Sequence, residues 1–196
     1  MEISQVASRK KIMPFVFGYG SLMNPLSAEK TLRRRLYRED FQCATLHDYV
    51  RSWTAPGCIC LQDNGWLRPC DALFLDLSHS PGSSCNGVVV EVSAQELQAL
   101  DIREQGYERC VVELEFENGG CLEGFTYVMP ECTKQHDGVI AAKYKQMIDE
   151  ALLAFSADFA AQFWQSTRPS PAALVEGEYI FADHAQNQAA GRSLSE

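Results

Sequence analysis

Apolar and polar positions alternate most cleanly over residues 112–116, where Val112, Leu114 and Phe116 interleave with Glu113, Glu115 and Glu117. A period of two makes a strand with one dry and one wet face. Asn118-Gly119-Gly120 follows as a hairpin turn signal, so residues 121–129 are predicted to return as the partner strand. Shorter apolar runs at 15–17 (FVF), 71–77 (DALFLDL) and 88–92 (VVVEV) predict three more strands. Between the last two, HSPGSSCNG reads as a loop, which makes them a hairpin with a long connection. Residues 41–60 are strand-like with interruptions, and Pro56-Gly57 marks a turn.

Helical spacing takes over elsewhere. Ser27 is a candidate cap for a helix over 27–37, and Arg33, Arg34, Arg35 and Arg38 would form its solvated face. Ser93 and Glu96 spell a capping box ahead of Leu97 and Leu100, and Gly106 ends that short pattern. The strongest stripe joins Ile140, Tyr144, Met147, Ile148, Ala151, Leu152 and Phe155. It either continues through Phe159 and Phe163 or breaks near Ser156 and restarts. Past Arg168 the composition loosens, with Pro169 and Pro171 and then an Ala/Gln-rich stretch. Strands joined by short connections, with helices inserted between them, define an α+β class with a small, mainly antiparallel, barrel-like sheet. The organisation expected is a loose leader over 1–13, one domain over 14–165 and a C-terminal extension over 166–196.

Composition narrows the partners. The chain has 196 residues, enough for one real core, and 46% of them are hydrophobic, as in globular chains. Its 17 basic and 26 acidic residues give a formal charge of −9, which argues against nucleic acid or an anionic membrane as a main partner. No apolar segment approaches a membrane span, and the short run after Arg9-Lys10-Lys11 contains Pro14, so a cytoplasmic protein is expected. Eight cysteines and four histidines show no paired ligand spacing. They read as free, mostly buried thiols and scattered imidazoles, with no metal and no cofactor implied.

Two stretches carry candidate chemistry. Over residues 15–25, FVFGYGSLMNP runs a strand into a glycine-bearing loop. It lacks the third glycine of a dinucleotide fingerprint, a G-K-[ST] and a G-x-S-x-G elbow, so Ser21 is not read as a hydrolase nucleophile. What it offers is a run of backbone N–H groups at Gly20, Ser21 and Leu22, a cradle for a small anion such as a carboxylate. Over 100–109, LDIREQGYER crowds charges around one glycine at a helix end. It is either a polar helix terminus or a site where Asp101, Glu104 or Glu108 sits in a cleft as a general base.

Together, the strand ending in GYGSL and the downstream VVVEVS…L..LD.RE.GY.R resemble the γ-glutamylcyclotransferase-like family over roughly residues 15–150. The resemblance implies a small mixed barrel flanked by helices, with a substrate cavity at one end. It implies that Tyr19, Gly20, Ser21 and Leu22 hold a γ-glutamyl group and that Glu104 is the catalytic general base and acid. By position Tyr107, Arg109, Tyr127 and Tyr144 would be further substrate-binding residues. The partner implied is a small-molecule γ-glutamyl substrate, cyclised to 5-oxoproline with loss of an amine, an amino acid or a cysteinyl dipeptide. Glutathione-specific members carry a tryptophan soon after this loop, where Met23, Asn24 and Pro25 stand here. The rival readings are a binding or regulatory protein that keeps the pocket without turnover, and an enzyme using a cysteine at a γ-glutamyl bond.

Overall fold

The computed structural model describes residues 13–63 and 66–193. All but the last residue of the expected leader, 1–12, lies outside the described residues. A strand from the first apolar run, β1 (Phe15–Gly18), sits between two others, as its buried aromatic and β-branched side chains require. It pairs antiparallel with β3 (Trp66–Glu91) and parallel with β5 (Cys121–Val128). The alternating segment is β4 (Glu108–Phe116), which joins β5 through the Asn118–Gly120 turn as its pattern predicts. Next to β4 lies β2 (Phe41–Asp63), and β2 returns to β3. Those five strands therefore close into a mixed barrel.

The long β2–β3 ladder corrects two sequence-based expectations. Pro56-Gly57 is no turn, and HSPGSSCNG does not end a strand: both lie within one antiparallel ladder from Phe41↔Val90 to Asp63↔Trp66. Of these two stretches residues 80–83 alone are left unpaired, as a bulge opposite Asp48 where Gly82 takes a φ of 77°. The segments 71–77 and 88–92 are thus parts of one strand rather than a hairpin. Register shifts between His47 and Tyr49 and between Trp53 and Ala55 absorb the irregularities as bulges. Gly57 is used for close packing, since a Cβ there would lie 2.6 Å from the Phe74 ring. Beyond the barrel, the ladder carries β6 (Val139–Ala141) and β7 (Ala173–Val175) on one side and β8 (Tyr179–Phe181) on the other.

Helices differ from expectation mostly at their ends. α1 (Pro25–Leu32) begins before Ser27 because Asn24 accepts the Ser27 amide and Pro25 suits a first turn. It stops at Arg33, which takes a left-handed φ of 53°. The arginines are therefore not one helical face. Arg34 pairs with Glu96 at 2.6 Å, while Arg38 donates to the Ala154 and Phe41 carbonyls and covers the Phe155 ring. α2 (Ala94–Arg103) starts on the Ser93–Glu96 capping box as read. The long stripe breaks at Ser156, whose side chain caps α4 (Ala157–Gln165) after α3 (Ala142–Leu152) has ended. Ile140 belongs to β6 instead.

The loose composition after Arg168 conceals β7, β8 and α5 (His184–Ala190), which the edges of the long ladder and the flank of α1 organise. Of the eight free cysteines only Cys85 is buried, against expectation, because Cys58, Cys121 and Cys132 occupy exposed positions. Arg51 is fully buried. It donates to the carbonyls of Asn86 and Phe163 and stacks on the Phe163 ring, tying α4 to the barrel. No helix among the described residues is long and apolar enough to cross a membrane.

Candidate active site

β1 delivers its glycine loop to the end of the barrel. Past Gly20 the chain tightens into a 3₁₀ turn over Ser21–Met23, whose opening amides have no partner within the turn. Asn24 then caps α1 and donates to the Met147 carbonyl at 3.1 Å, pinning the loop to α3. Gly20 is required by proximity, not by its dihedral angles. A Cβ there would lie 2.8 Å from the Tyr144 hydroxyl.

Glu104 caps the C-terminal end of α2, its amide bonded to Leu100 O at 2.8 Å. The chain turns away at once: Tyr107 N returns to Glu104 O, and Gly106 supplies a φ of 94°. Its carboxylate meets Arg103 Nε at 3.1 Å, with about a fifth (22%) of the Glu104 side chain still open to solvent. Burial pushes the Glu104 carboxyl above the usual glutamate range, and the Arg103 charge partly opposes that rise.

Arg103 is the hub that sequence reading missed. One terminal nitrogen donates to Ser27 O (3.0 Å) and Thr31 Oγ1 (2.9 Å). The other donates to Ser21 Oγ (2.8 Å) and Ser27 Oγ (2.9 Å). A planar guanidinium with every donor engaged holds loop, helix α1 and carboxylate in one fixed frame. Its partners Ser21, Ser27 and Thr31 lie far away along the chain, so no local pattern announces the hub.

Two cavities meet at Glu104. A narrow recess of about 40 Å³ is lined by Tyr19, Gly20, Leu22, Glu104, Tyr107 and Tyr127, among others. A wider cavity of about 320 Å³ shares Ser21, Glu104, Tyr107 and Tyr144 with it. The tyrosine hydroxyls are fixed: Tyr19 donates to Tyr127 O (2.6 Å), Tyr107 to Leu75 O (3.0 Å) and Tyr127 to Asp101 (2.8 Å). Burial raises the pKa of Tyr19, Tyr107, Tyr127 and Tyr144, so they are neutral hydrogen-bonding groups rather than bases. Arg109 alone among the expected residues lines neither cavity. One of its terminal nitrogens meets both Asp101 carboxylate oxygens, at 2.7 and 2.9 Å, and that carboxylate also accepts from the Tyr127 hydroxyl. Among the described residues no group of three His, Cys, Asp or Glu side chains gathers to hold a metal ion.

The site is thus a recessed, arginine-held carboxyl beside a glycine loop at the end of a closed mixed barrel. Residues 16–146, more than half of the chain, match the family model described as gamma-glutamyl cyclotransferase, AIG2-like. The chain belongs to that family. No curated protein matches it. Among solved structures it is similar to one titled "Gamma-glutamyl cyclotransferase", with a TM-score of 0.61, 16% identity, and 84% of this chain and 94% of that one covered. An uncharacterized Homo sapiens protein matches with a TM-score of 0.57, 18% identity, and 84% and 94% coverage. A yeast cyclotransferase whose title calls it specific to glutathione gives a TM-score of 0.50, 13% identity, and 78% and 94% coverage. At these identities the structures establish the shared fold.

Proposed function

We propose that the chain cyclises a γ-glutamyl compound to 5-oxoproline and releases an amine, with Glu104 as general base and then general acid. The observation that carries this reading is a single carboxyl, fixed by Arg103, at the junction of the recess and the wider cavity. In this reading the recess takes the γ-glutamyl part. The opening amides of the Ser21–Met23 turn hold its α-carboxylate, as the free donors of such a turn suit.

Glu104 removes a proton from the α-ammonium, and the freed amine attacks the γ-carbonyl carbon. The lactam C–N bond forms as the amide C–N bond breaks, and the protons shed by the ring nitrogen pass to the departing amine. The nucleophile and electrophile belong to one molecule, so orientation in a tight recess can supply about 7–11 kcal/mol of the barrier reduction. A carboxyl raised above its usual range suits both halves of the proton traffic better than an ordinary surface glutamate.

The test is 5-oxoproline release, followed by chromatography, from γ-glutamyl amino acids, glutathione and γ-glutamyl amines. Wild type is expected to turn over at least one class, and Glu104→Gln to lose roughly 10²–10⁴-fold in rate while remaining folded. Absence of product from every compound would leave the recess as a binding site without turnover.

A further inference from the structure

One wall of the wider cavity comes from beyond the family match: Glu178, Tyr179 and Phe181 from β8 and its approach, and Gln186, Ala190 and Arg192 from α5 and its end. This wall is built in. β8 pairs with Ile59–Leu61, Thr31 donates to Ala189 O at 2.8 Å, and Arg192 donates to the Tyr179 hydroxyl at 2.6 Å. We propose that it is the subsite for the departing amine, and that it selects an α-amino acid with a bulky apolar side chain. The proposal rests on the cyclotransferase reading above.

Shape and polarity carry the first half. At about 40 Å³ the recess cannot hold a leaving group as well, so in the proposed reaction whatever is attached to the γ-glutamyl group extends into the wider space of about 320 Å³. There Phe74 stands at the centre of a cluster of rings, with centroids 4.9 Å from Tyr144, 5.6 Å from Phe181 and 6.1 Å from Tyr179. Pro56 and Met147 extend the apolar surface. Such a wall gains from apolar area removed from water and gives a small or purely polar leaving group nothing to bury against.

Charge carries the second half. Among the acidic groups of this cavity, Glu178 is paired with Lys143 at 3.1 Å, Glu104 with Arg103, and Glu150 accepts from Gln146. Lys30 and Arg192 have no carboxylate partner among the described residues. Both line the cavity: the Lys30 stem packs against Gly191, where a Cβ would lie 2.7 Å from it, and the Arg192 guanidinium stacks 3.8 Å over the Tyr179 ring while donating to its hydroxyl. Two cations lining the same cavity as the aromatic wall match an amine that carries a carboxylate as well as an apolar body.

The test measures kcat/KM for 5-oxoproline release by the full chain from γ-glutamyl-phenylalanine, its α-carboxamide and γ-glutamyl-glycine. The wild type is expected to prefer the first over each of the others by roughly tenfold or more, from the lost charge contact and the lost apolar burial respectively. Lys30→Gln combined with Arg192→Gln should collapse the carboxylate-to-carboxamide ratio toward one. Turnover with all ratios near one, or a preference for γ-glutamyl-glycine or cationic leaving amines, overturns this proposal while the cyclotransferase reading stands. Absence of 5-oxoproline from all three and from the wider panel overturns that reading first, and this proposal with it.

Discussion

Glu104 and Arg103 are adjacent in sequence but have opposite effects on one proton. Burial raises the carboxyl and the guanidinium lowers it, burial prevailing. As the proposed base, Glu104 must be ionised, so kcat/KM is expected to fall with acidification along a limb lying above the ordinary glutamate value of about 4.3. Arg103→Gln removes the opposing charge and should move that limb to higher pH; Arg103→Lys should move it less. A pH–rate profile unchanged by both variants would show that Arg103 does not tune the carboxyl. The sign for stability is the reverse of an ordinary salt-bridged acid. The folded pKa is raised, so the stabilising contribution is full below the unfolded value and is lost as pH rises through the folded one. Elsewhere Arg51 has four hydrogen bonds, no carboxylate, and burial that lowers its pKa to about 10. Arg51→Ala should cost roughly 2–4 kcal/mol in denaturant unfolding, because buried carbonyls lose a charged donor.

At the scale of elements, the parts legible in the sequence are those whose signals are local. The Ser93–Glu96 box, the β4 alternation and the Asn118–Gly120 turn each occupy a few contiguous residues, and each forms as read. Ser93→Ala should therefore cost about 1 kcal/mol, measurable by thermal or chemical unfolding. What was not legible depends on partners far along the chain. Pro56-Gly57 and HSPGSSCNG carry turn chemistry, but the β2–β3 ladder pairs the residues on either side, leaving only residues 80–83 of these stretches as an unpaired bulge. The candidate site divides the same way. Glu104 and the glycine loop were visible as contiguous motifs, whereas Arg103's partners and the Tyr179–Arg192 wall emerge only when the barrel closes. Gly87 shows how tight that closure is, since a Cβ would lie 2.6 Å from the Gly18 carbonyl and 2.5 Å from the Phe17 ring. Gly87→Ala is expected to lower stability by roughly 1–3 kcal/mol, as overpacking against backbone does. An unfolding midpoint equal to wild type would mean that β1 and β3 can separate there without cost.

For the whole molecule, the barrel supplies the recess and later segments supply its surroundings. Two three-residue strands and a short helix, each too small to stand alone, persist because β6, Ile59–Leu61 and α1 offer β7, β8 and α5 their edges. Deleting residues 178–193 should uncover Phe74 and Leu61, lower the unfolding midpoint, and raise KM more than it lowers kcat. In the proposed reaction the carboxyl of Glu104 and the glycine loop both lie outside that segment. That arrangement also sets an order in time. Every strand of the barrel leaves the ribosome before Tyr179, so a nascent chain already holds the elements that carry the carboxyl and the glycine loop while one side of the cavity is still missing. Under the proposed reaction, selectivity is therefore expected to arrive after chemistry as the chain is made, and a stalled or shortened product to be a less discriminating catalyst rather than an inert one.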